Sequence, residues 1–168
     1  MIYTVGRRLT GCLKIIGAFI IIFSSVMIAL RYTERIEQTL KGVSALRALL
    51  EHSKNMIECY SLPASEILKR TKRSIFVDCG YGKDDLPSDF LELASESDIL
   101  DFEAREIILS FAKDFGKSYR RDELSRCSLY LERMRAREQK LAKESTKKKK
   151  VIFTVAICSA LAVIILII

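Results

Sequence analysis

The last eighteen residues of the chain, 151–168, contain no glycine, proline or charged side chain. Twelve of these residues are Leu, Ile, Val or Phe. As an α-helix, the run would extend roughly 27 Å, which is close to the thickness of the hydrocarbon core of a bilayer. A helix buried in a protein core usually carries a polar stripe, and this run is apolar on every side. The sequence therefore predicts a transmembrane helix over residues 151–168.

A second uncharged apolar run occupies residues 15–30. It is slightly short for a bilayer, but Lys14 and Arg31 can extend their charged groups to the two interfaces and lengthen the usable span. A cleaved signal peptide is the alternative interpretation. Cleavage requires small residues at two positions, and Met27 stands where the second would be needed before Ala29. We therefore expect residues 15–30 to remain as an uncleaved transmembrane helix.

The distribution of charge predicts the orientation of the chain in the membrane. All 21 acidic residues lie within residues 31–150, which also contain 25 of the 28 Lys and Arg and therefore carry a net charge of +4. This excess equals the four lysines directly before the second run, so the basic composition indicates a membrane border rather than a nucleic-acid partner. Because positively charged flanks stay in the cytoplasm, residues 31–150 are predicted to be cytosolic and residues 1–14 to form a short extracytoplasmic segment. The predicted membrane-border anchors are Lys14, Arg31, Lys147, Lys148, Lys149 and Lys150. The four consecutive lysines among them are also expected to attract acidic lipid headgroups.

Between the two spans, apolar residues recur three and four positions apart, which is the pattern of one face of an α-helix. The face predicted for the first helix contains Ile36, Leu40, Val43, Leu46, Leu50, Ile57 and Tyr60. The faces predicted for two later helices contain Leu100, Ala104, Ile107, Ile108, Phe111 and Phe115, and then Leu124, Cys127, Leu131, Met134 and Leu141. The fold class is therefore predicted to be all-α, with two transmembrane helices flanking one cytosolic helical bundle domain. The first and last helices of this bundle are expected to continue into the spans without a break.

Capping and turn residues predict where the helices begin and end. Residues 78–89 combine two glycines, four aspartates and a proline, and are predicted to form the largest loop. Residues 74–78 are the only short candidate for a β-strand. Helices are expected to begin at Pro63, near Pro87, after the capping pair Ser95 and Asp98, and at Asp122, and one helix is expected to end at Gly116.

The residues that carry most enzyme chemistry are scarce or scattered. His52 is the single histidine, and the cysteines form no C-x-x-C pair that would suggest a zinc site. The sequence has no phosphate-binding G-x-x-x-x-G-K-[ST] motif, and the aspartates near residue 85 favour an acidic surface loop over a calcium site. We therefore predict a non-enzymatic protein without a cofactor, a metal, a small-molecule substrate or a nucleic-acid partner. The cysteines predicted to be cytosolic and reduced are Cys59, Cys79 and Cys127.

Several segments together resemble a known family. They are "KIIGAFIIIF" at residues 14–23, "RYTERIEQTL" at residues 31–40, the pair Phe115 and Gly116, and the apolar C-terminal run. The most informative is the juxtamembrane motif, which we define as Tyr32, Thr33, Glu34 and Arg35. On these residues the chain, from Leu13 onwards, resembles the stage III sporulation protein AB family of endospore-forming bacteria. The residues before Leu13 look like an extension.

The resemblance implies a specific architecture and role. Members of the family look like the cytoplasmic domain of the type II secretion inner-membrane platform protein, which is an all-helical bundle. They belong to the secretion-like complex that links mother cell and forespore during sporulation. The expected partners are a companion cytosolic ATPase, similar to stage III sporulation protein AA, other membrane proteins of the same complex, and membrane lipid. The expected location is the cell membrane around the forespore, with two passes and the helical domain in the mother-cell cytosol.

Two functions from different classes are compatible with these observations. The first is a platform, or scaffold, subunit that docks the ATPase through its cytosolic bundle. The alternative is a pore-lining or transport subunit of a membrane channel, whose own spans line a path. Neither predicted span contains Asp, Glu, Lys, Arg or His, so the second function lacks the usual marker of an ion or proton path.

Overall fold

A computed structural model describes the backbone of residues 2–60, 62–117 and 119–167. The side chains described are those of residues 17, 19–60, 62–63, 66–117, 119–159, 161–163 and 165. The described backbone contains no β-strand, and an isolated antiparallel bridge joins Tyr81 to Ser97. The prediction of an all-α fold is therefore confirmed.

The described backbone forms six helices. They are α1 (Ile2–Tyr60), α2 (Ala64–Arg70), α3 (Arg73–Asp78), α4 (Phe90–Glu96), α5 (Phe102–Asp114) and α6 (Arg120–Ile167). As expected from the sequence, α1 and α6 are each unbroken from the bundle into an apolar run. The largest loop also lies where it was predicted, between α3 and α4.

The candidate strand at residues 74–78 is wrong, because this segment lies within α3. The side chain of Phe76 is buried in the core, and the Cys79 N–H donates to the Ile75 carbonyl over 3.0 Å, as helical geometry requires. Packing of Phe76 has therefore overridden the β-propensity of a short segment.

Two predicted helix ends agree closely with the structure. Pro63 lies at the N-cap of α2, and Gly116 follows the end of α5 with a φ of +81°, a conformation that glycine adopts without strain. The start of α4 differs by a few residues: the helix begins at Phe90 rather than at Pro87. The reason is Asp89, whose side chain accepts a backbone N–H of the first turn over 2.7 Å and caps the helix.

Two predicted caps are wrong. Ser95 and Asp98 do not cap α5, whose N-cap is Asp101. The Ser95 hydroxyl instead donates to the Glu92 carbonyl within α4. Asp122 lies inside the first turn of α6 rather than at its cap, where its charge still complements the positive end of the helix dipole.

The chain consists of two compact units, and α1 and α6 each contribute residues to both. Unit 1 contains residues 1–36 and 144–168, and unit 2 contains residues 37–143. In unit 1 the two helices run side by side. Their hydroxyl-bearing residues Ser25 and Ser159 meet with the two Oγ atoms 3.4 Å apart.

No helix in the described part of the chain combines the length and the hydropathy that crossing a membrane requires. The predicted spans, residues 15–30 and 151–168, each include residues whose side chains lie outside that part. These residues are 15, 16 and 18 in the first run and 160, 164 and 166–168 in the second. The two spans remain predictions.

A hydrophobic core fills unit 2 and contains most of the predicted apolar faces. Its buried members from those faces are Val43, Leu46, Leu50, Ile57, Leu100, Ala104, Ile108, Phe111, Cys127, Leu131, Met134 and Leu141. Aromatic rings connect three helices within this core, since Phe111 of α5 contacts Phe90 of α4 and Tyr130 of α6 at centroid distances of 5.1 and 5.6 Å. One predicted core residue is wrong: Tyr60 is 65% exposed.

Ile99 packs against two glycines that lie far apart in the sequence. A Cβ atom added to Gly42 would lie 3.0 Å from Ile99 Cδ1, and one added to Gly80 would lie 2.5 Å from Ile99 Cγ1. Gly80 also has a φ of +86°. A glycine in a long helix normally costs about 1 kcal/mol relative to alanine. At Gly42 the cost is associated with close packing of the loop that carries Ile99.

Candidate functional site

A groove in unit 1 contains three of the residues that the sequence singled out. The groove has a volume of about 530 Å³ and is lined by both helices of the unit. Its apolar wall consists of Ile28, Ala29, Val151, Ile152, Val155 and Ala156. Tyr32 of the juxtamembrane motif lines it together with the border lysines Lys147 and Lys148. The fold thus brings part of the motif and part of the lysine block into one site.

The groove changes from apolar to basic along its length. Ser25 lies at one end, where its hydroxyl meets that of Ser159. Two turns further along α1, Tyr32 lies beside the two lysines, so the helices are antiparallel and the charge is confined to the other end. No carboxylate occurs among the described residues that line the groove. Two lysine side chains therefore lie at one end of an otherwise apolar groove.

The other predicted border and motif residues do not share this groove. Thr33 donates its hydroxyl to the carbonyl of Ala29 in the same helix over 2.9 Å. Lys14 lies outside the described side chains. The described residues of the two sets that do not line the groove are Arg31, Thr33, Glu34, Arg35, Lys149 and Lys150. Their roles as anchors and as a family motif remain predictions.

A set of short charge contacts in unit 2 centres on Arg137 of α6. Its guanidinium donates twice to Asp101 Oδ2, from Nε over 2.9 Å and from Nη2 over 2.6 Å, and lies 2.7 Å from Glu103. The side chains of Arg137 and Asp101 are only 10% and 18% exposed. Lys140 adds a second cation to Glu103 at 3.1 Å. These contacts join α6 to the start of α5. The sequence analysis did not predict this structural role of Arg137.

A second ion-pair set joins α1 to α6. Arg47 lies 2.7 Å from Glu138 and 3.1 Å from Glu51 on its own helix. Arg135 reaches the same Glu51 at 3.3 Å. Opposite charges alternate across the two helices, so these side chains neutralise one another and hold the helices in register.

Hydrogen bonds to Glu92 hold the loop between α3 and α4 against α4. Glu92 accepts from the backbone N–H and the hydroxyl of Ser88, over 2.9 and 2.8 Å, and also from Lys83 and Tyr81. These donors, led by the Ser88 N–H, lower the pKa of Glu92 to about 2. The acidic loop is thus held by specific contacts, and its Asp84 pairs with Arg73 at 3.0 Å.

Exposed tyrosines and arginines cluster where α1 ends and α6 begins. Tyr60 and Tyr119 are 65% and 88% exposed, and the Arg120 guanidinium donates to the carbonyl of Glu58, which connects the two helix ends. We call Tyr60, Tyr119, Arg120 and Arg121 the aromatic end of unit 2. Tyrosine and arginine are the residue types that dominate binding energy in protein interfaces. The sequence analysis missed this surface because it assigned Tyr60 to the core; an aromatic residue directly before two arginines was the available signal.

The histidine and the described cysteines that the sequence analysis considered have defined places in the structure. No group of three or more His, Cys, Asp or Glu that could hold a metal ion occurs among the described residues. The described cysteines are free, and burial raises the pKa of Cys79 to about 12 and that of Cys127 to about 11, which makes both thiols poor nucleophiles at neutral pH. His52 lies half-buried on α1 in unit 2.

Residues 89–168 match the model of the family described as stage III sporulation protein AB. The match begins at the N-cap of α4 and covers α4, α5 and α6, slightly less than half of the chain. It includes the predicted marker Phe115 and Gly116 but not the juxtamembrane motif, which the sequence analysis had regarded as more informative. No curated protein and no solved structure matches the chain. The likeness to the type II secretion platform protein therefore stays a prediction.

Proposed function

We propose that the chain, whose residues 89–168 match the model of the stage III sporulation protein AB family, belongs to that family and acts in sporulation as a non-enzymatic membrane platform. In this proposal, residues 15–30 and 151–168 are transmembrane helices and the bundle between them faces the mother-cell cytosol. The bundle docks a companion cytosolic ATPase, and the spans assemble with other membrane proteins of the secretion-like complex. The family match is the observation that carries the proposal.

The surface of unit 2 supports docking as the task of the bundle. The charged groups around Arg137 and Arg47 are paired with carboxylates within the unit, so they serve its own stability. The aromatic end is different, because Tyr60 and Tyr119 expose most of their surface to solvent. We propose that the ATPase binds at the aromatic end, where two tyrosines lie next to Arg120 and Arg121.

The alternative function, a pore-lining subunit, receives less support. A pore would use polar groups of the second run to contact water or ions. The Thr154 hydroxyl donates to the Lys150 carbonyl over 2.9 Å, and the Ser159 hydroxyl donates to the Ala156 carbonyl over the same distance. Hydroxyls bonded within their own helix satisfy the helix backbone and need no aqueous path.

A binding measurement with purified proteins tests the docking proposal directly. The full-length chain, solubilised in a neutral detergent, is incubated with the purified cytosolic ATPase of the same complex, and binding is measured by surface plasmon resonance. We expect the double variant Tyr60→Ala/Tyr119→Ala to lose at least about tenfold in affinity, since each interface tyrosine contributes roughly 1–2 kcal/mol. The matched control is Phe102→Ala, because Phe102 is another aromatic residue of unit 2 and is 74% exposed.

The outcomes separate the function from the surface. Wild-type protein that binds no ATPase would contradict the platform proposal. Wild-type binding that Phe102→Ala abolishes and the double tyrosine variant leaves unchanged would move the docking surface to the start of α5. Loss of sporulation in Thr154→Val or Ser159→Ala cells with ATPase binding intact would favour the pore-lining alternative.

A further inference from the structure

The groove of unit 1 has the shape of a site for a long apolar ligand with a charged end. Its volume of about 530 Å³ lies within the range of ligand sites in proteins, which is roughly 300–1,000 Å³. From Ser25 to Tyr32 it follows α1 for two turns, or about 10 Å. Along this length the wall is formed by aliphatic side chains of both helices. A chain of methylene groups is the ligand type that such a wall favours.

The charged end of the groove selects for an anion. Lys147 and Lys148 line it, and no carboxylate is present among its described lining residues to neutralise them. Tyr32 lies at the same end and has a phenolic hydroxyl that can donate a hydrogen bond. Basic pockets between membrane helices at the cytoplasmic border are typical sites for phosphate headgroups.

We propose that this groove binds one anionic glycerophospholipid. Its phosphate is held by Lys147, Lys148 and Tyr32, and one acyl chain lies along the wall between Ala29 and Ala156. The inference rests on the proposed membrane location of unit 1, because only there does the groove meet lipid. It goes further than general attraction of the lysine block to a membrane, since it assigns different roles to neighbouring lysines.

Other occupants fit the groove less well. A free phosphate or similar anion would be bound by the lysines but would leave the apolar wall uncovered. A zwitterionic lipid would cover the wall but would bring no net negative charge to the two cations. A helix of a second copy of this chain would meet the lysines with its own basic border rather than with a carboxylate.

Native mass spectrometry of the full-length protein in neutral detergent tests the proposal. The probes are phosphatidylglycerol, phosphatidylcholine with the same acyl chains, and glycerol phosphate, which is the headgroup without chains. Each lysine beside an anionic headgroup is worth roughly a fivefold gain in affinity. We therefore expect phosphatidylglycerol to bind at least about tenfold more tightly than phosphatidylcholine, which carries no net charge. We expect a similar advantage over glycerol phosphate, which has no acyl chain to cover the apolar wall.

A first pair of variants distinguishes a specific lipid site from general attraction between the lysine block and anionic lipid. Lys147→Ala/Lys148→Ala should weaken phosphatidylglycerol binding roughly thirtyfold. Lys149→Ala/Lys150→Ala removes the same charge from residues that do not line the groove, and should change affinity less than about threefold.

A second pair of variants tests the apolar wall. Ala156→Trp should block the acyl chain and weaken binding at least about tenfold, because it places an indole ring in the groove. Ala162→Trp, on an exposed residue of the same helix that does not line the groove, should leave binding unchanged.

Several results would overturn the inference. The first is an equal loss of affinity in the two double lysine variants. The second is an affinity for phosphatidylcholine or for glycerol phosphate that equals the affinity for phosphatidylglycerol. The third is a wild-type dimer that Ala156→Trp converts to a monomer, because a second copy would then occupy the groove. The same protein samples also test the proposed function independently of the lipid site. Failure of the wild-type chain to remain in membranes after carbonate washing would contradict the membrane platform. Normal retention of the wild-type chain in membranes and normal ATPase binding, with equal lipid affinity in all groove variants and their controls, would contradict the lipid site and leave the proposed function standing.

Discussion

Arg137 shows how one residue can stabilise the contact between two helices. Its guanidinium is largely shielded from water and bonds Asp101 through two nitrogen atoms. A partly buried pair of this kind is worth more as a unit than either member alone, because removing one partner leaves the other charge desolvated and uncompensated. Arg135, two residues earlier, pairs with Glu51 in a much more exposed position. Comparing the two arginines therefore tests how burial changes the contribution of an arginine–carboxylate pair to stability.

Arg137→Ala is expected to lower the free energy of unfolding of unit 2 by about 2–3 kcal/mol, since it removes charge-assisted hydrogen bonds from a shielded carboxylate. Arg135→Ala is expected to cost less than about 1 kcal/mol, because exposed ion pairs are weak. Urea unfolding of the full-length chain in detergent, followed by circular dichroism, measures both. Equal losses in the two variants would show that shielding of Arg137 does not matter.

At the scale of elements, the loop between α3 and α4 depends on glycine for two reasons. Gly80 has a left-handed φ of +86°, and its missing Cβ leaves room for Ile99. Tyr81 then forms a bridge with Ser97, and Glu92 binds donors from the loop. Gly82, two residues later, has nothing within 4 Å of an added Cβ. Neighbouring glycines in one loop thus have different importance.

Gly80→Ala is expected to destabilise unit 2 by about 2–4 kcal/mol, through backbone strain and overlap with Ile99. Gly82→Ala, the control, is expected to change the free energy of unfolding by less than about 1 kcal/mol, since it mainly restricts the unfolded chain. Both values follow from the same urea titration. In an Ile99→Ala background the cost of Gly80→Ala should shrink, and an unchanged cost would argue against the steric contact.

At the scale of the whole molecule, charge and hydropathy bear on orientation. The four lysines before residue 151 are the largest block of positive charge in the chain, and no acidic residue lies outside residues 31–150. This asymmetry favours a cytosolic body and extracytoplasmic ends. Compact unit 2, residues 37–143, contains the core that such a body would need.

Reporter fusions are expected to show this orientation in cells. Alkaline phosphatase, which is active only outside the cytoplasm, should be active when fused after Ile168. A reporter that is active only in the cytoplasm, such as β-galactosidase, should be active when fused after Asp89. The positive-inside rule is the physical basis, because lysine blocks are retained on the cytoplasmic side. Activity in the reverse pattern would overturn the orientation and, with it, docking to a cytosolic ATPase.

The sequence by itself determined the helical fold class, the unbroken continuation of α1 and α6 from the bundle into the apolar runs, and most of the buried face of unit 2. These features depend on short-range periodicity, on glycine and proline, and on the absence of charge in a run. Each of them can be recognised within a few turns of one helix. The distribution of charge identified the lysine block, and the resemblance to a known family identified Tyr32.

Only the tertiary structure decided which of these residues meet. Tyr32 lines a groove with Lys147 and Lys148, Ile99 packs against Gly42 and Gly80, and Tyr60 is exposed although it lies in a predicted apolar face. Such contacts depend on the register and rotation of helices that are distant in the sequence. A single chain's local pattern carries no information on that register, because it is set by how side chains from different helices pack together.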